Sequence, residues 1–522
     1  MPQPTEEQSV VIDAFASGTD LVVQAGAGTG KTTTLEMLAA GDARRGVYIS
    51  FNKSVAVEAQ RRFPQHVKCS TAHGLAFRAV AIPYKHRLNA PRMPAHRVAF
   101  GLGIHTHVTL GGKVLEPRNL AYIVLQTVER FCYSAARELS EKHVPVQRGA
   151  EEPELHQLLV QAVLPFARKA WEDITDPEGH RVNFKHDHYL KMWQLKDPQL
   201  NYDYILLDEA QDTNGVLEAV LDNQRGRAQI VLVGDSAQQI YAWRGAKDIM
   251  TGAPGTHLHL SQSFRFGAAL AYEANRWLGA IRSTLRLTGH PPLATEIGPL
   301  EQPNAVLCRS NAGALTEVLS HLRAGRRVAM AGGGDGLRKL ALAARDLKAG
   351  RGTSHPELLL FKTWDELQDY ANNDPSGADL LHWVELIDDL GYEEILGSLQ
   401  RLTDEHTSEV TISTAHKAKG RQWPRVRISD DFPEPDPTED GKPGRISRSE
   451  ARLAYVAVTR AQHHLDRGSL AWILDHPAAQ PARTTHAAPP GPVPTSPPQK
   501  AGYRTWGDLG PLPPTAGEPG CR

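Results

Sequence analysis

The sequence predicts an α/β protein built on doubly wound parallel sheets, and three observations carry that reading. Strand-like apolar runs alternate with helical spacing from residue 20 to about 80, and the pattern returns at Tyr204-Ile205-Leu206-Leu207 and Gln229-Ile230-Val231-Leu232-Val233. The run Leu21-Val22-Val23 also feeds a glycine-rich loop that opens a helix with apolar positions at Leu35, Leu38 and Ala39. Sheets of this kind gather ligands at the carboxyl ends of their strands, so the residues just after each apolar run are the candidate functional groups.

At 522 residues the chain exceeds what one core can hold, and three or four domains are expected. Its formal net charge of −1 means that a nucleic-acid partner would be held by local basic surface. The four cysteines (Cys69, Cys132, Cys308, Cys521) are scattered without CxxC spacing, which argues against a zinc site, an iron–sulfur cluster or a disulfide framework. No apolar run reaches the ~18 residues of a membrane span, and Met1-Pro2-Gln3-Pro4 has no signal-peptide character. A soluble, cytoplasmic protein without membrane contact is expected. The polar cluster Lys185-His186-Asp187-His188 reads as surface rather than as metal ligands.

In chain order, Thr5-Glu6-Glu7-Gln8 precedes a helical segment with Val10, Val11, Ala14 and Phe15. The Gln8 amide can pair with N6 and N7 of an adenine. The loop Gln24-Ala25-Gly26-Ala27-Gly28-Thr29-Gly30-Lys31-Thr32-Thr33 reads as a phosphate-binding P-loop. Glycines 26, 28 and 30 let backbone N–H groups turn inward on the phosphates, and the helix N-terminus adds positive dipole. Lys31 would neutralise the phosphates and Thr32 would ligate Mg²⁺; Ala25 stands where the pattern usually has its leading glycine. ATP and Mg²⁺ are the cofactors this loop implies.

The next strand-like run, Gly46-Val47-Tyr48-Ile49-Ser50, ends in Phe51-Asn52-Lys53, and Val67-Lys68-Cys69-Ser70 runs into Thr71-Ala72-His73. Phe51, Asn52, Lys53, Thr71 and His73 therefore fall at strand ends. From about 84 to 196 the pattern is mostly helical (122 to 139 and 154 to 171), which reads as an insertion. Tyr204-Ile205-Leu206-Leu207 then ends in Asp208-Glu209-Ala210-Gln211-Asp212. Asp208 there can hold Mg²⁺ through water, and Glu209 can orient and deprotonate the water that attacks a γ-phosphate. After Gln229-Ile230-Val231-Leu232-Val233 come Gln238, placed to touch the γ-phosphate, and Tyr241, Trp243 and Arg244, whose flat and cationic groups suit bases and backbone. The P-loop and acidic strand end would also suit a transporter-type ATPase or a kinase, which leave residues 241 to 246 and 410 to 461 unexplained, while Lys31, Glu209, Gln238, Arg265 and Arg460 argue against a scaffold that merely clamps nucleotide.

Taken together, Gln8, the loop from Ala25 to Thr32, Asp208-Glu209-Ala210-Gln211-Asp212 and Gly234-Asp235 through Trp243-Arg244-Gly245-Ala246 resemble the Q motif and motifs I to III of UvrD/Rep-type superfamily 1 DNA helicases. Leu260-Ser261-Gln262-Ser263-Phe264-Arg265 resembles motif IV, Val410-Thr411-Ile412-Ser413-Thr414-Ala415-His416-Lys417-Ala418-Lys419-Gly420 motif V, and Glu450-Ala451-Arg452-Leu453-Ala454-Tyr455-Val456-Ala457-Val458-Thr459-Arg460-Ala461 motif VI. Phe51-Asn52-Lys53-Ser54, Thr71-Ala72-His73 and His188-Tyr189-Leu190-Lys191-Met192-Trp193 are most similar to the F-box DNA helicase branch. No F-box precedes Thr5, so no ubiquitin-ligase role is expected.

The resemblance implies two RecA-like motor domains and an ATP-dependent helicase that moves 3′→5′ on single-stranded DNA and unwinds duplex at single-strand/duplex junctions, in DNA repair, recombination or replication. It makes Lys31, Asp208, Glu209, Gln238 and the arginine fingers Arg265 and Arg460 the catalytic set, with Phe264 stacked on adenine. Phe51, Asn52, Lys53, Thr71, His73, Tyr241, Trp243, Arg244 and His416 would contact DNA. The first motor domain is expected at 1–84 and 197–280 with a helical insertion at 85–196. The second is expected at 281–345 and 405–475 with a short helical insertion at 346–404, in which Trp364 and Trp383 are core. Gln422 stands where the family has a motif V acid, and motif VI begins Ser449-Glu450 where two acids are common. Residues 476–522 form a Pro-rich tail expected to be disordered, in which Tyr503-Arg504-Thr505-Trp506-Gly507 offers a docking segment for a protein partner.

Overall fold

The structure, a computed structural model, describes residues 3–88, 90, 93–241, 246–373 and 378–479. Trp243, Arg244 and the tail from residue 480 lie outside them. Helix Glu6–Ala16 opens the chain with a reciprocal cap, in which Thr5 Oγ1 accepts from the Gln8 N–H (3.2 Å) and Gln8 Oε1 from the Thr5 N–H (3.0 Å). Gln8 thus belongs to the first helical turn instead of preceding the helix.

The first sheet comprises β1 (Leu21–Ala25), β2 (Gly46–Ser50), β3 (Val67–Thr71), β4 (Tyr204–Leu207), β5 (Gln229–Gly234) and β6 (Thr256–Leu260). Its order is β6-β1-β5-β4-β2-β3, and every pairing is parallel. Successive residues face opposite sides. Val22, Val47, Ile49, Ile205, Leu207, Ile230 and Leu232 enter one core, and Leu21, Val23, Tyr48, Tyr204, Leu206, Val231 and Val233 the other. Both faces are therefore covered, which is why these strands read as continuous apolar runs. The first of these cores continues without a break through helices Pro117–Tyr133, Pro153–Thr175 and His186–Leu195. A hairpin, Val108–Leu110 with Lys113–Leu115, lies in the same helical region.

The second sheet comprises β7 (Glu296–Ile297), β8 (Ala305–Cys308), β9 (Val328–Met330), β10 (Val410–Thr414), β11 (Trp423–Ile428) and β12 (Ala461–Asp466), in the order β7-β12-β11-β8-β10-β9, all parallel. Two parallel sheets with helices are thus present, as the residue pattern predicts. Ala305, Leu307, Val426 and Ile428 pack with helices Ala268–Ile281 and Arg448–Val458 and with Ala27 of the glycine-rich loop. Val306, Cys308, Val410 and Ile412 pack on the other face with Trp364 and Trp383, both buried. The segment after helix Asp335–Lys348 also reaches the first region: Leu359 and Leu360 enter its core, and Asn119 Nδ2 donates to the Leu359 carbonyl at 3.1 Å.

One polar cluster departs from its surface reading. Lys185 and His186 are exposed, but His188 is only 5% exposed, its ring edge-on to Phe184 and its Nδ1 accepting from the Lys185 N–H at 3.0 Å. Burial pushes its imidazole down from 6.5 to about 3. A group depressed in the folded state contributes stability that is present above its unfolded value and is lost as pH falls through the window from 6.5 toward 3. The loss at pH 5 should be about 2 kcal/mol. Melting temperatures at pH 7 and pH 5 are therefore expected to differ more for the wild type than for His188→Asn, which keeps an acceptor and cannot protonate. Equal pH sensitivity of the two proteins would refute this.

Candidate functional site

The site is built at the carboxyl ends of β1, β4 and β5. Immediately after β1, Gly28 and Gly30 adopt the left-handed conformation (φ 77° and 79°). A Cβ on Gly28 would lie 2.6 Å from Arg265 Cβ and 2.7 Å from Ser263 Oγ. Only glycine allows segment 263–265 to lie this close, and there the Phe264 N–H donates to the Gly28 carbonyl at 2.8 Å. Helix Lys31–Ala40 starts directly from Gly30, so its first N–H groups face the loop. Lys31 Nζ stands 3.4 Å from Glu209 Oε1. Thr32 Oγ1 donates to Asp208 Oδ2 (3.0 Å), which also accepts from the Tyr48 hydroxyl (2.8 Å).

Glu209 has φ 55° and ψ 42°, a strained conformation for a side-chain-bearing residue that turns the chain sharply at the strand end. Gln211 Nε2 donates to Glu209 Oε2 at 2.6 Å while its Oε1 accepts from the Asp235 N–H at 2.9 Å. The carboxylates titrate apart. Burial and the neighbouring Glu209 raise the Asp208 carboxyl. Burial acts upward on Glu209 too, but Lys31 and Lys419 outweigh it and hold Glu209 below its ordinary value. Burial likewise opposes the charge on Lys31, yet Glu209, Asp235 and Asp208 keep its ammonium above the ordinary value. At neutral pH Lys31 is a cation and Glu209 an anion able to accept a proton.

The second sheet completes the site. Arg460, at the entry to β12 and 1% exposed, directs Nη2 toward Gln238 Oε1 at 3.3 Å. Gln238 Nε2 in turn donates to Asp235 Oδ2 at 2.7 Å. Lys419 Nζ pairs with Asp212 and donates to the Gln238 carbonyl at 2.5 Å. Arg265 donates through Nε to Gln422 Oε1 (2.8 Å) and through Nη1 to the Thr459 carbonyl (3.0 Å). Gln422 is thus one of two acceptors that hold Arg265. Phe264 is 42% exposed and lies 3.7 Å from where a Gly30 Cβ would stand. Gln8 Nε2 donates to Thr34 Oγ1 at 2.9 Å, in the same helix as Lys31 and Thr32. Ala25, Gly26, Ala27, Thr29 and Thr33 lie along this loop and first turn, and Thr29 Oγ1 donates back to the Gly26 carbonyl at 3.0 Å.

The candidate DNA-contacting residues divide into two groups. Phe51, 67% exposed, and His73 border a cavity of about 90 Å³ whose wall includes Asp208, Glu209 and Asp212. Tyr241 and His416 sit together, the Tyr241 hydroxyl donating to the His416 carbonyl at 2.7 Å. Lys53 is exposed. Asn52 and Thr71 cap helices: Asn52 Oδ1 accepts from the Val55 N–H (2.9 Å) and Thr71 Oγ1 from the Gly74 N–H (3.0 Å). His73 Nε2 bonds Asp187 Oδ1 at 2.9 Å.

Several residues at the site carry no role in the sequence reading. Gln211, Asp212, Lys419 and Tyr455 all sit inside the quoted motifs, so their positions were available as a signal, whereas Tyr48 was hidden in an apolar strand.

Comparison with known proteins finds matches to both regions of the chain. Residues 8–244 match the AAA domain family model and residues 359–466 the UvrD-like helicase C-terminal domain model. F-box DNA helicase 1 of Gallus gallus is 30% identical over 506 residues, covering 88% of this chain and 48% of that protein. F-box DNA helicase protein 1 of Schizosaccharomyces pombe is 29% identical over 507 residues, covering 88% and 57%. A probable DNA helicase II homolog of Rickettsia conorii is 24% identical over 307 residues, covering 51% and 41%. The chain spans about half the length of the curated relatives it matches. With a glycine-rich loop and an acidic strand end in one parallel sheet, Arg460 from the second sheet reaching the same site, and family models matched over both regions, the chain belongs to the UvrD-like superfamily 1 helicases.

Proposed function

We propose that this protein is an ATP-dependent translocase and helicase that moves 3′→5′ on single-stranded DNA and opens duplex at single-strand/duplex junctions during DNA repair, recombination or replication. The observation that carries the proposal is the composite site, in which Arg460 of the second sheet reaches Gln238 of the first beside Lys31 and Glu209. Such a site is complete only when the two sheets are together, so nucleotide binding and product release would open and close the cleft between them.

In this reading the loop from Ala25 to Thr33 cradles the phosphates, Lys31 neutralises them, and Glu209 orients and deprotonates the attacking water. Arg265 and Arg460 stabilise charge on the transferring phosphoryl group. Phe264 and Gln8 flank the base. Thr32 and Asp208 offer a hydroxyl and a carboxylate oxygen 3.0 Å apart, donors that suit Mg²⁺ with phosphate oxygens and water completing its shell. A bound Mg²⁺ would supply charge neutralisation, and the raised Asp208 carboxyl has an electrostatic reason to accept it.

DNA would cross the carboxyl ends of both sheets, past Phe51, Lys53 and His73 and past Tyr241 and His416; Trp243 and Arg244, which lie outside the described residues, belong to the same proposed set. Among the described residues no helix is long and apolar enough to cross a membrane.

Steady-state ATPase with and without single-stranded DNA tests the proposal, together with strand displacement on duplexes carrying a 3′ or a 5′ tail. DNA-stimulated hydrolysis and a requirement for a 3′ tail are expected; hydrolysis indifferent to DNA would refute it. Phe51 supplies a site-specific check, because its ring is exposed and contributes little packing. A stacked base is worth ~1–3 kcal/mol by alanine substitution, so Phe51→Ala should weaken single-strand binding by about 5- to 150-fold. Its melting temperature should be unchanged. Wild-type affinity in Phe51→Ala would remove Phe51 from the DNA track.

A further inference from the structure

Tyr455 lies in helix Arg448–Val458, with its ring fully buried. Its hydroxyl accepts from the Ala27 N–H at 3.2 Å and donates to Asp235 Oδ2 at 3.0 Å. Ala27 belongs to the glycine-rich loop after β1, and Asp235 follows β5 of the same sheet. The helix belongs to the opposite side of the cleft, packed on the second sheet. One hydroxyl therefore joins the two halves of the site through two separate segments of the first.

What hangs on this hydroxyl is the geometry of groups that Tyr455 does not itself touch. Asp235 is fully buried, and its Oδ2 also accepts from Gln238 Nε2 at 2.7 Å, so the carboxylate that Tyr455 holds is the one that orients the Gln238 amide. Through its own N–H, Asp235 also meets Gln211, which bonds Glu209. On the other side, Arg460 Nε donates to the Val456 carbonyl at 2.8 Å, so the guanidinium rides on the last turn of the Tyr455 helix. Where that helix is anchored decides where Arg460 meets Gln238.

We propose that Tyr455 is a positioning residue, which pins the Arg460-bearing helix to the phosphate loop and to Asp235 and so sets Arg460 and Gln238 around the γ-phosphate without contacting nucleotide itself. The proposal rests on the ATPase reading of the site. Misplacement of reacting or stabilising groups by about 1 Å is enough to cost about 100-fold in rate, whereas it leaves ground-state binding nearly intact.

Tyr455→Phe keeps the ring and removes only the hydroxyl. With single-stranded DNA present, its kcat for ATP should fall by about 10- to 100-fold, while KM for ATP and affinity for DNA change by less than about 2-fold. A double-mutant cycle with Arg460→Ala gives a readout that a purely structural role would not move. Because Arg460 carries part of what Tyr455 positions, the double variant should lose less than the product of the two single losses. Every assay is run well below the variant's own melting temperature, with the folded fraction measured in the same sample. A wild-type kcat in folded Tyr455→Phe, or fully multiplicative losses in the cycle, would overturn the proposal. Absence of ATPase in the wild type would instead overturn the reading on which it rests.

Discussion

Glu209→Gln is expected to lower ATP hydrolysis by about 10²- to 10⁴-fold, the range associated with loss of a positioned general base, while ATP still binds. The substitution keeps the shape and the hydrogen bond from Gln211 but removes the anion that would take the proton from water. Lys31 loses its nearest carboxylate, 3.4 Å away, yet Asp208 and Asp235 still act on it, so its charge survives and, with it, the proposed hold on the phosphates. Lys31→Ala should behave differently, losing hydrolysis and weakening nucleotide binding as well, because the buried site then has no cation at that point. Single-turnover phosphate release and binding of a fluorescent ATP analogue separate the two variants. Hydrolysis by Glu209→Gln within threefold of wild type would remove Glu209 from the chemistry.

The parts of this site that could be read from sequence are those whose chemistry is local. Gly28, Gly30, Lys31 and Thr32 fall within five residues, and Asp208 and Glu209 are adjacent after an apolar strand, so each announces its geometry without tertiary information. The contacts that were not legible join distant segments. Tyr455 meets Ala27 across 428 positions and Lys419 meets Asp212 across 207, and neither pair follows from spacing because the packing of one sheet against the other creates it. Tyr48 was masked for another reason: within an apolar strand a tyrosine ring counts as core, and only the fold reveals that its hydroxyl ends at Asp208. His188 shows the same limit in reverse. A polar run reads as surface until the helix phase turns one of its members inward.

Arg460→Ala should lower DNA-stimulated hydrolysis by about 10³-fold or more, since an arginine supplied to the transferring phosphoryl group is worth ~10³ to 10⁵ in rate in other nucleotide hydrolases. The environment of this guanidinium is the reason to expect so large an effect. Its hydrogen bonds go to the Val456 and Arg421 carbonyls, the Thr459 hydroxyl and the Gln238 amide oxygen, all neutral acceptors. Burial and then the nearby Arg265 push Arg460 down to about 9, which still leaves it cationic at neutral pH. A buried cation whose direct acceptors are all neutral, with the Asp235 and Glu209 charges only nearby, is costly until an anion arrives, and in the proposed reading the γ-phosphate is that anion. Removing it relieves desolvation and the repulsion from Arg265, which offsets part of the lost hydrogen bonds and packing of this fully buried side chain. Arg460→Lys should recover only part of the rate, since a point charge cannot reach Gln238 and phosphate in the planar geometry of a guanidinium. Melting temperature and kcat measured on the same protein decide between roles. A variant that is strongly destabilised but hydrolyses ATP within tenfold of wild type when folded would make Arg460 a packing residue.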